Sequence, residues 1–155
     1  MNPHITRASR NDLKFILSLQ KLAYKKEAER YNDYQIPPMT QTIEEIESEY
    51  DSTVFLKLTE NNEIIGSIKG RKINNTCHIG RLMVHPRYQG KGYGKKLIRS
   101  LEEIFSEDKE IEYFELFTGE LSRDNICLYK SQGYRESKTV PAGNGYNILF
   151  LSKKI

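Results

Sequence analysis

No apolar run in the 155-residue chain approaches the ~20 residues that a membrane span needs. The opening residues, Met1 to Arg7, lack the apolar core of a signal peptide. A chain that stays in the cytoplasm, with no membrane partner, is the expectation. Cysteine is scarce: Cys77 and Cys127 stand far apart and match neither a disulfide framework nor a zinc spacing. His4, His78 and His85 make no HExxH pair, so the commonest metalloenzyme patterns are excluded and no metal is expected. A dominant charge of one sign is missing too. The net charge is only +3, and the basic residues are interspersed with acidic ones, which argues against a nucleic-acid partner. The basic run from Lys69 to Lys72, broken by Gly70, reads as a solvated strand end.

What is present is an ordinary globular composition, 37% hydrophobic and 29% charged, on a length that suits one domain over residues 1–155. Ile5 to Ala8 reads as a first strand. Ser9 with Asp12 has the form of a capping box, followed by helical periodicity to about Arg30. Pro37-Pro38 makes Tyr31 to Thr40 a loop. Thr42 to Glu45 opens a short acidic helix. Strands at Thr53–Thr59, Ile64–Ile73 and Thr76–Val84, joined by tight asparagine-rich turns, form a meander. A glycine loop follows, then an amphipathic helix through Leu97, Leu101 and Phe105. A strand at Ile111–Thr118, a short helix capped by Ser122 and ended by Gly133, and two last strands complete the order. The fold class is α/β (α+β): a mixed sheet of about seven strands flanked by four helices in one domain.

The segment Leu82 to Lys95 carries most of the functional information. A strand enters a loop with Gly90, Gly92 and Gly94, and the loop opens directly into a helix. Glycines let backbone amides approach a ligand, and the amides at a helix start favour a phosphate-bearing anion. Lys91, Lys95 and Lys96 add positive charge. The mononucleotide P-loop is excluded because no Gly-Lys-Ser or Gly-Lys-Thr stands at the required spacing. The dinucleotide fingerprint fails because its third glycine position holds Lys95.

Gln89-Gly90-Lys91-Gly92-Tyr93-Gly94 resembles the Gln/Arg-x-x-Gly-x-Gly/Ala signature of the GNAT superfamily of N-acetyltransferases. Leu82 to Pro86 is similar to that family's fourth strand, and the β/α order is similar to its whole fold. The resemblance implies acetyl-CoA as acyl donor. Its pyrophosphate would sit on the amides of Gln89, Gly90, Lys91, Gly92, Tyr93 and Gly94, near Lys95. Its pantetheine arm would pair with the main chain of Leu82, Met83 and Val84, like an added strand. In such proteins the fourth and fifth strands splay apart, and the thioester lies in the gap.

Acetyl transfer to an amine requires that the ammonium, of pKa about 10, lose a proton and that the departing thiolate be neutralised. Asn125 and Tyr129 lie i and i+4 on one helix, and with Gly133-Tyr134 they resemble the family's second signature. By that match Tyr129 is the proton donor to sulfur, and Asn125 bonds the pantetheine or the helix end. Read without the family, Tyr129 is one of ten tyrosines and packs under the sheet. His78 falls where related enzymes carry a basic group, on a strand whose residues 78, 80, 82 and 84 share a face by alternation. Arg81 would point the other way, structural or solvated. Glu29, Asp33 and Glu115 are alternative bases.

In this family the connection between the first two helices lines the acceptor pocket. Here it contains Glu27, Glu29, Tyr31, Asp33, Tyr34, Ile36, Pro37 and Pro38, with Glu29, Tyr31, Asp33 and Tyr34 as candidate substrate-binding residues, and carboxylates among tyrosines suit a cationic amine, small or peptide-borne. The expected reaction is direct attack in a ternary complex, because neither cysteine is marked as a nucleophile. A non-catalytic acyl-CoA-binding module is the alternative. A homodimer is possible by analogy with the family.

Overall fold

The computed structural model of the protein describes residues 3–155. The chain runs β1 (His4–Arg7), α1 (Leu13–Ala23), α2 (Lys25–Tyr31), α3 (Pro37–Thr40), α4 (Ile43–Glu49), β2 (Val54–Glu60), β3 (Glu63–Ile73), β4 (Thr76–Val84), α5 (Tyr93–Ser106), β5 (Tyr113–Gly119), α6 (Arg123–Ser131), β6 (Arg135–Pro141) and β7 (Asn147–Lys154). All seven strands join one sheet, in the order β1-β2-β3-β4-β5-β7-β6. β4 and β5 run parallel, and the other neighbours run antiparallel. Among the described residues, no helix is long and apolar enough to cross a membrane.

The expected helix starts are built as their sequences require. Ser9 donates from its backbone N–H and its hydroxyl to Asp12 Oδ2, at 2.7 and 3.1 Å. Thr42 N–H donates to Glu45 Oε1 at 2.9 Å while Glu45 N–H donates to Thr42 Oγ1 at 3.2 Å. The four expected helices are all present, with two differences. The first is divided at Tyr24 into α1 and α2, and the loop holding Pro37-Pro38 forms a single turn, α3, because proline is compatible with a first helical turn. The β2–β3 hairpin turns on Asn61 and Asn62, both with positive φ (51° and 64°), which suits the twist of flanking strands.

The sheet is packed on both faces. α5 presses Leu97, Ile98 and Leu101, all fully buried, against Leu56, Ile68, Cys77 and Leu151. On the other face Leu13, Ile16 and Ile46 pack with Phe55 and Met83. Each such side chain contributes roughly 1.5–3 kcal/mol through removal from water.

One irregularity in β4 governs the site. Ser67 faces Met83 and Lys69 faces Gly80, so Ile68 alone stands opposite both Arg81 and Leu82. This is a β-bulge, and Arg81 takes a left-handed conformation with φ 50°. The extra residue reverses the alternation. Cys77 and Ile79 bury on the α5 side before the bulge, whereas Met83 buries on the α1 side after it. The expectation that residues 78, 80, 82 and 84 share a face is therefore corrected: Leu82 and Val84 pack toward α5, and His78 faces the opposite side.

Candidate active site

The glycine loop delivers α5 end-on to a cleft of about 520 Å³. Gly90 and Gly92 have φ of 79° and 81°, and a side chain at either would meet nothing within 4 Å. Backbone conformation, rather than crowding, is what calls for glycine there. Gly92 precedes the helix, and its carbonyl accepts the first helical bond from Lys96 N–H at 3.3 Å. The amides of Tyr93, Gly94 and Lys95 are left free for a ligand, at the positive end of a helix of 14 residues. Gln89 holds the loop by donating from Nε2 to the Val84 carbonyl at 3.1 Å. Leu82, Met83, Val84, Gln89, Gly90, Gly92, Tyr93, Gly94, Lys95 and Asn125 all line this one cleft. Lys91 lies outside its walls, with its ammonium 5.5 Å from the Tyr88 ring centre.

Beyond the loop the sheet opens. β4 and β5 pair from Thr76 with Tyr113 to His78 with Glu115 and then part, while β5 continues against β7 as far as Gly119. A second cavity of about 670 Å³ occupies the gap. Tyr24, Glu27 and Asn125 belong to the walls of both cavities. Asn125 is fixed by donation from Nδ2 to Thr118 Oγ1 at 3.2 Å, which ties α6 to the end of β5.

Tyr129 lines the second cavity and is only 6% exposed. Its hydroxyl has no hydrogen-bond partner among the described residues. Burial drives its pKa well above the ordinary phenol value, and Tyr24 and Glu27 push the same way. The phenol is thereby kept as a neutral O–H donor. Tyr24, whose ring partly faces the cleft, has an enclosed hydroxyl that donates to the Leu82 carbonyl at 3.3 Å. Burial raises it to about 12, against the lowering influence of Arg81 and with the help of Glu27.

Glu27, one of the acids of the connection expected to line the acceptor pocket, lines both cavities. Its carboxylate accepts from Arg30 Nη1 at 2.7 Å and from Ser122 Oγ at 2.5 Å. Ser122 in turn shares a 2.7 Å bond with the Tyr31 hydroxyl, which accepts from Leu121 N–H at 3.0 Å. A continuous chain therefore runs from Leu121 N–H through Tyr31 and Ser122 to Glu27. Ser122 holds the expected N-cap position of α6, its carbonyl accepting from Ile126 N–H at 3.1 Å, but its hydroxyl makes no cap bond. A side chain on Gly119 would come within 2.0 Å of the Tyr31 hydroxyl, so the close approach of Tyr31 depends on that glycine.

His78 and Glu115, register partners at the point where the strands part, bring Nδ1 and Oε1 to 3.4 Å. Among the expected acceptor residues, Tyr31 lines the cavity, edge-on to Tyr146 at 5.3 Å. Asp33 does not: it accepts from Gln35 N–H at 2.9 Å and Asn144 Nδ2 at 3.2 Å, fastening its loop to the β6–β7 connection. Glu29 and Tyr34 are exposed and line neither cavity. Helix geometry accounts for Glu29, since Glu27 and Tyr31 are four residues apart on the inward face and Glu29 lies two positions round from each. The basic run is corrected as well. Lys69 and Arg71 line the cavity, and Lys72 alone is outside, bonded to Asp108 and Glu110 at 2.8 and 2.7 Å.

The model of the acetyltransferase (GNAT) family matches residues 15–134. The chain is 30% identical over 130 residues to the UPF0157 protein YqkA of Bacillus subtilis (strain 168), a match covering 84% of this chain and 36% of that protein. It is 29% identical over 97 residues to an uncharacterized N-acetyltransferase of Bacillus methanolicus, covering 62% of this chain and 79% of that one. The chain thus spans about a third of the first relative's length. The fold superposes over 100% of both chains on the PaiA N-acetyltransferase of Thermoplasma acidophilum in complex with coenzyme A, with a TM-score of 0.77 at 21% identity.

Proposed function

The chain belongs to the acetyltransferase (GNAT) family, and on that premise we propose that it moves an acetyl group from acetyl-CoA to a primary amine by direct attack within a ternary complex. The observation that carries this reading is the meeting of the two cavities at Tyr24, Glu27 and Asn125, with Tyr129 lining the second of them. One cavity has the backbone cradle of a phosphate site, the other the side chains of proton chemistry.

The cleft residues fit coenzyme A. The free amides at the start of α5 and Lys95 would hold its pyrophosphate. The edge of β4 released by the parting strands leaves backbone free to pair with an extended arm near Leu82, Met83 and Val84. Acetyl-CoA supplies the activated carbonyl, and the new N–C bond forms as its C–S bond breaks. The nitrogen gives up two protons in all, one to the base and one that ends on sulfur.

Each residue's part follows from its surroundings. Tyr129, kept neutral by burial, holds the proton that the departing sulfur needs. His78, steadied by Glu115, takes a proton from the amine directly or through water. Glu27 is a fixed negative charge at the junction, set by Ser122 and Arg30 to orient an ammonium before it is deprotonated. Asn125 positions the wall between donor and acceptor. Cys77 is buried and pushed up to about 12 by that burial, which disqualifies it as a nucleophile at neutral pH.

Thiol release from acetyl-CoA across a panel of amines tests this reading, with wild type set against Tyr129→Phe. Turnover that depends on the acceptor is expected. In the variant it should fall by about ten-fold or more with coenzyme A affinity intact, roughly 1.4 kcal/mol of transition-state stabilisation. Tight coenzyme A binding with no turnover of any amine would instead favour a non-catalytic acyl-CoA-binding module.

A further inference from the structure

We propose that the acceptor amine also carries a carboxylate, and that Arg81 on the acceptor-cavity wall is the residue that binds it. The inference rests on the acetyltransferase reading above and specifies its second substrate.

The cavity wall is unbalanced in charge. Lys69, Arg71 and Arg81 line it with Glu27 and Glu49. Both carboxylates already have partners, since Glu49 is paired with Lys69 and Glu27 with Arg30. Among the described residues Arg71 and Arg81 have no acidic partner. The cations crowd one another. Burial lowers the Lys69 pKa against the raising bond to Glu49, and both arginines add to the lowering. Two positive charges are thus left in excess on the wall, Arg71 exposed and Arg81 half-buried, and for Arg81 burial without a counter-charge is unfavourable.

Arg81 is the sharper of the two arginines. Its Nε is enclosed and has no hydrogen-bond partner among the described residues. The residue also sits at the bulge with φ 50°, a conformation that a long side chain rarely adopts. An unmet donor and a strained backbone at one cavity-lining position are features that persist where a ligand completes the site. The planar guanidinium presents paired donors to a carboxylate. Tyr146, Ile148 and Phe117 line the same cavity and leave apolar room for the body of the acceptor.

The test uses matched pairs that differ by the acid group: 2-phenylethylamine with phenylalanine, butylamine with 4-aminobutyrate, and agmatine with arginine. Aminoethylphosphonate is set against β-alanine. Thiol release is followed for wild type, Arg81→Lys and Arg81→Gly, the last chosen because glycine relieves the positive φ at this position. Calorimetric coenzyme A affinity reports that each variant is folded. Wild type should prefer the acid in at least one pair by about ten-fold or more in kcat/KM. Arg81→Gly should reduce that preference to about two-fold through the acid's KM, with Arg81→Lys between them. A wild type that prefers the plain amine in every pair, an Arg81→Gly protein that keeps the preference, or a preference for the phosphonate would each overturn the proposal. Binding of acetyl-CoA with no turnover of any amine would overturn the acetyltransferase reading itself, and this inference with it.

Discussion

The two halves of the site are built on opposite plans. The phosphate-site half of the glycine-loop cleft is mostly backbone: the amides at the start of α5, the released edge of β4, and a loop whose essential side chains are the missing ones of Gly90 and Gly92. Those backbone parts are nearly contiguous, from Leu82 to Lys95, and α1, α2 and α6 supply the facing wall. The acceptor cavity is made of side chains drawn from α2, β3, β4, β5, α6 and the β6–β7 connection. A backbone site is defined by conformation, so the residues that permit the conformation announce it. A side-chain site is defined by which atoms the fold brings together. The contrast also separates roles, since a shared donor can be held by a fixed main-chain cradle while the acceptor surface is free to differ.

The largest effect should come from breaking the donor side alone. Gly92→Val forces a β-branched residue to φ 81°, and coenzyme A affinity should fall by about a hundred-fold, or roughly 2.7 kcal/mol. Because open space surrounds that position, Gly92→Asn should recover much of the loss, as asparagine tolerates the left-handed region. Equal losses from both substitutions, measured by calorimetry, would point to crowding instead of backbone conformation.

The acceptor side should break separately. Gly119→Ala places a methyl group within 2.0 Å of the Tyr31 hydroxyl, so Tyr31 must move and the chain through Ser122 to Glu27 is cut. KM for the acceptor should rise by about ten-fold while the coenzyme A dissociation constant stays put. A parallel loss of both would show that the two cavities are one mechanical unit.

The smallest expected effect is a constancy. Burial raises Tyr129 above the ordinary phenol value of 10.0, so its proton stays on as pH climbs to that value. The ratio of wild-type to Tyr129→Phe rates should therefore hold level between about pH 7 and pH 10. A ratio that declines from about pH 8 would mean that the phenol ionises early and is no proton donor of this kind. The same sign applies to stability. Tyr24, raised to about 12 in the fold, contributes stability that is whole below the ordinary phenol value and is lost as pH rises through 12.

Local patterns in the sequence determined a good deal about this protein. The capping boxes at Ser9 and Thr42, the positive-φ asparagines of the β2–β3 turn, the apolar stripe of α5 and the glycine loop each depend on neighbours within a few residues. Such short-range rules are written in the order of residues, and so the α/β order and the glycine-loop cleft were legible. Glu27 and Tyr31, both expected in the acceptor connection, face inward together by their four-residue spacing. Tertiary structure alone decided the rest. One extra residue in β4 turned Arg81 inward and reversed the face of His78, which no period-2 reading foresees, because a bulge is set by the register against β3. Contacts across 95 residues drew the hydroxyl of Ser122, still the N-cap residue of α6, into a link between Tyr31 and Glu27. Folding also turned Lys69 and Arg71 from an outer strand end into a cavity wall, while leaving Glu29 and Tyr34 outside. Side-chain chemistry between distant segments exists only once the strands have paired and parted, and the parting of β4 from β5 is what made the acceptor cavity.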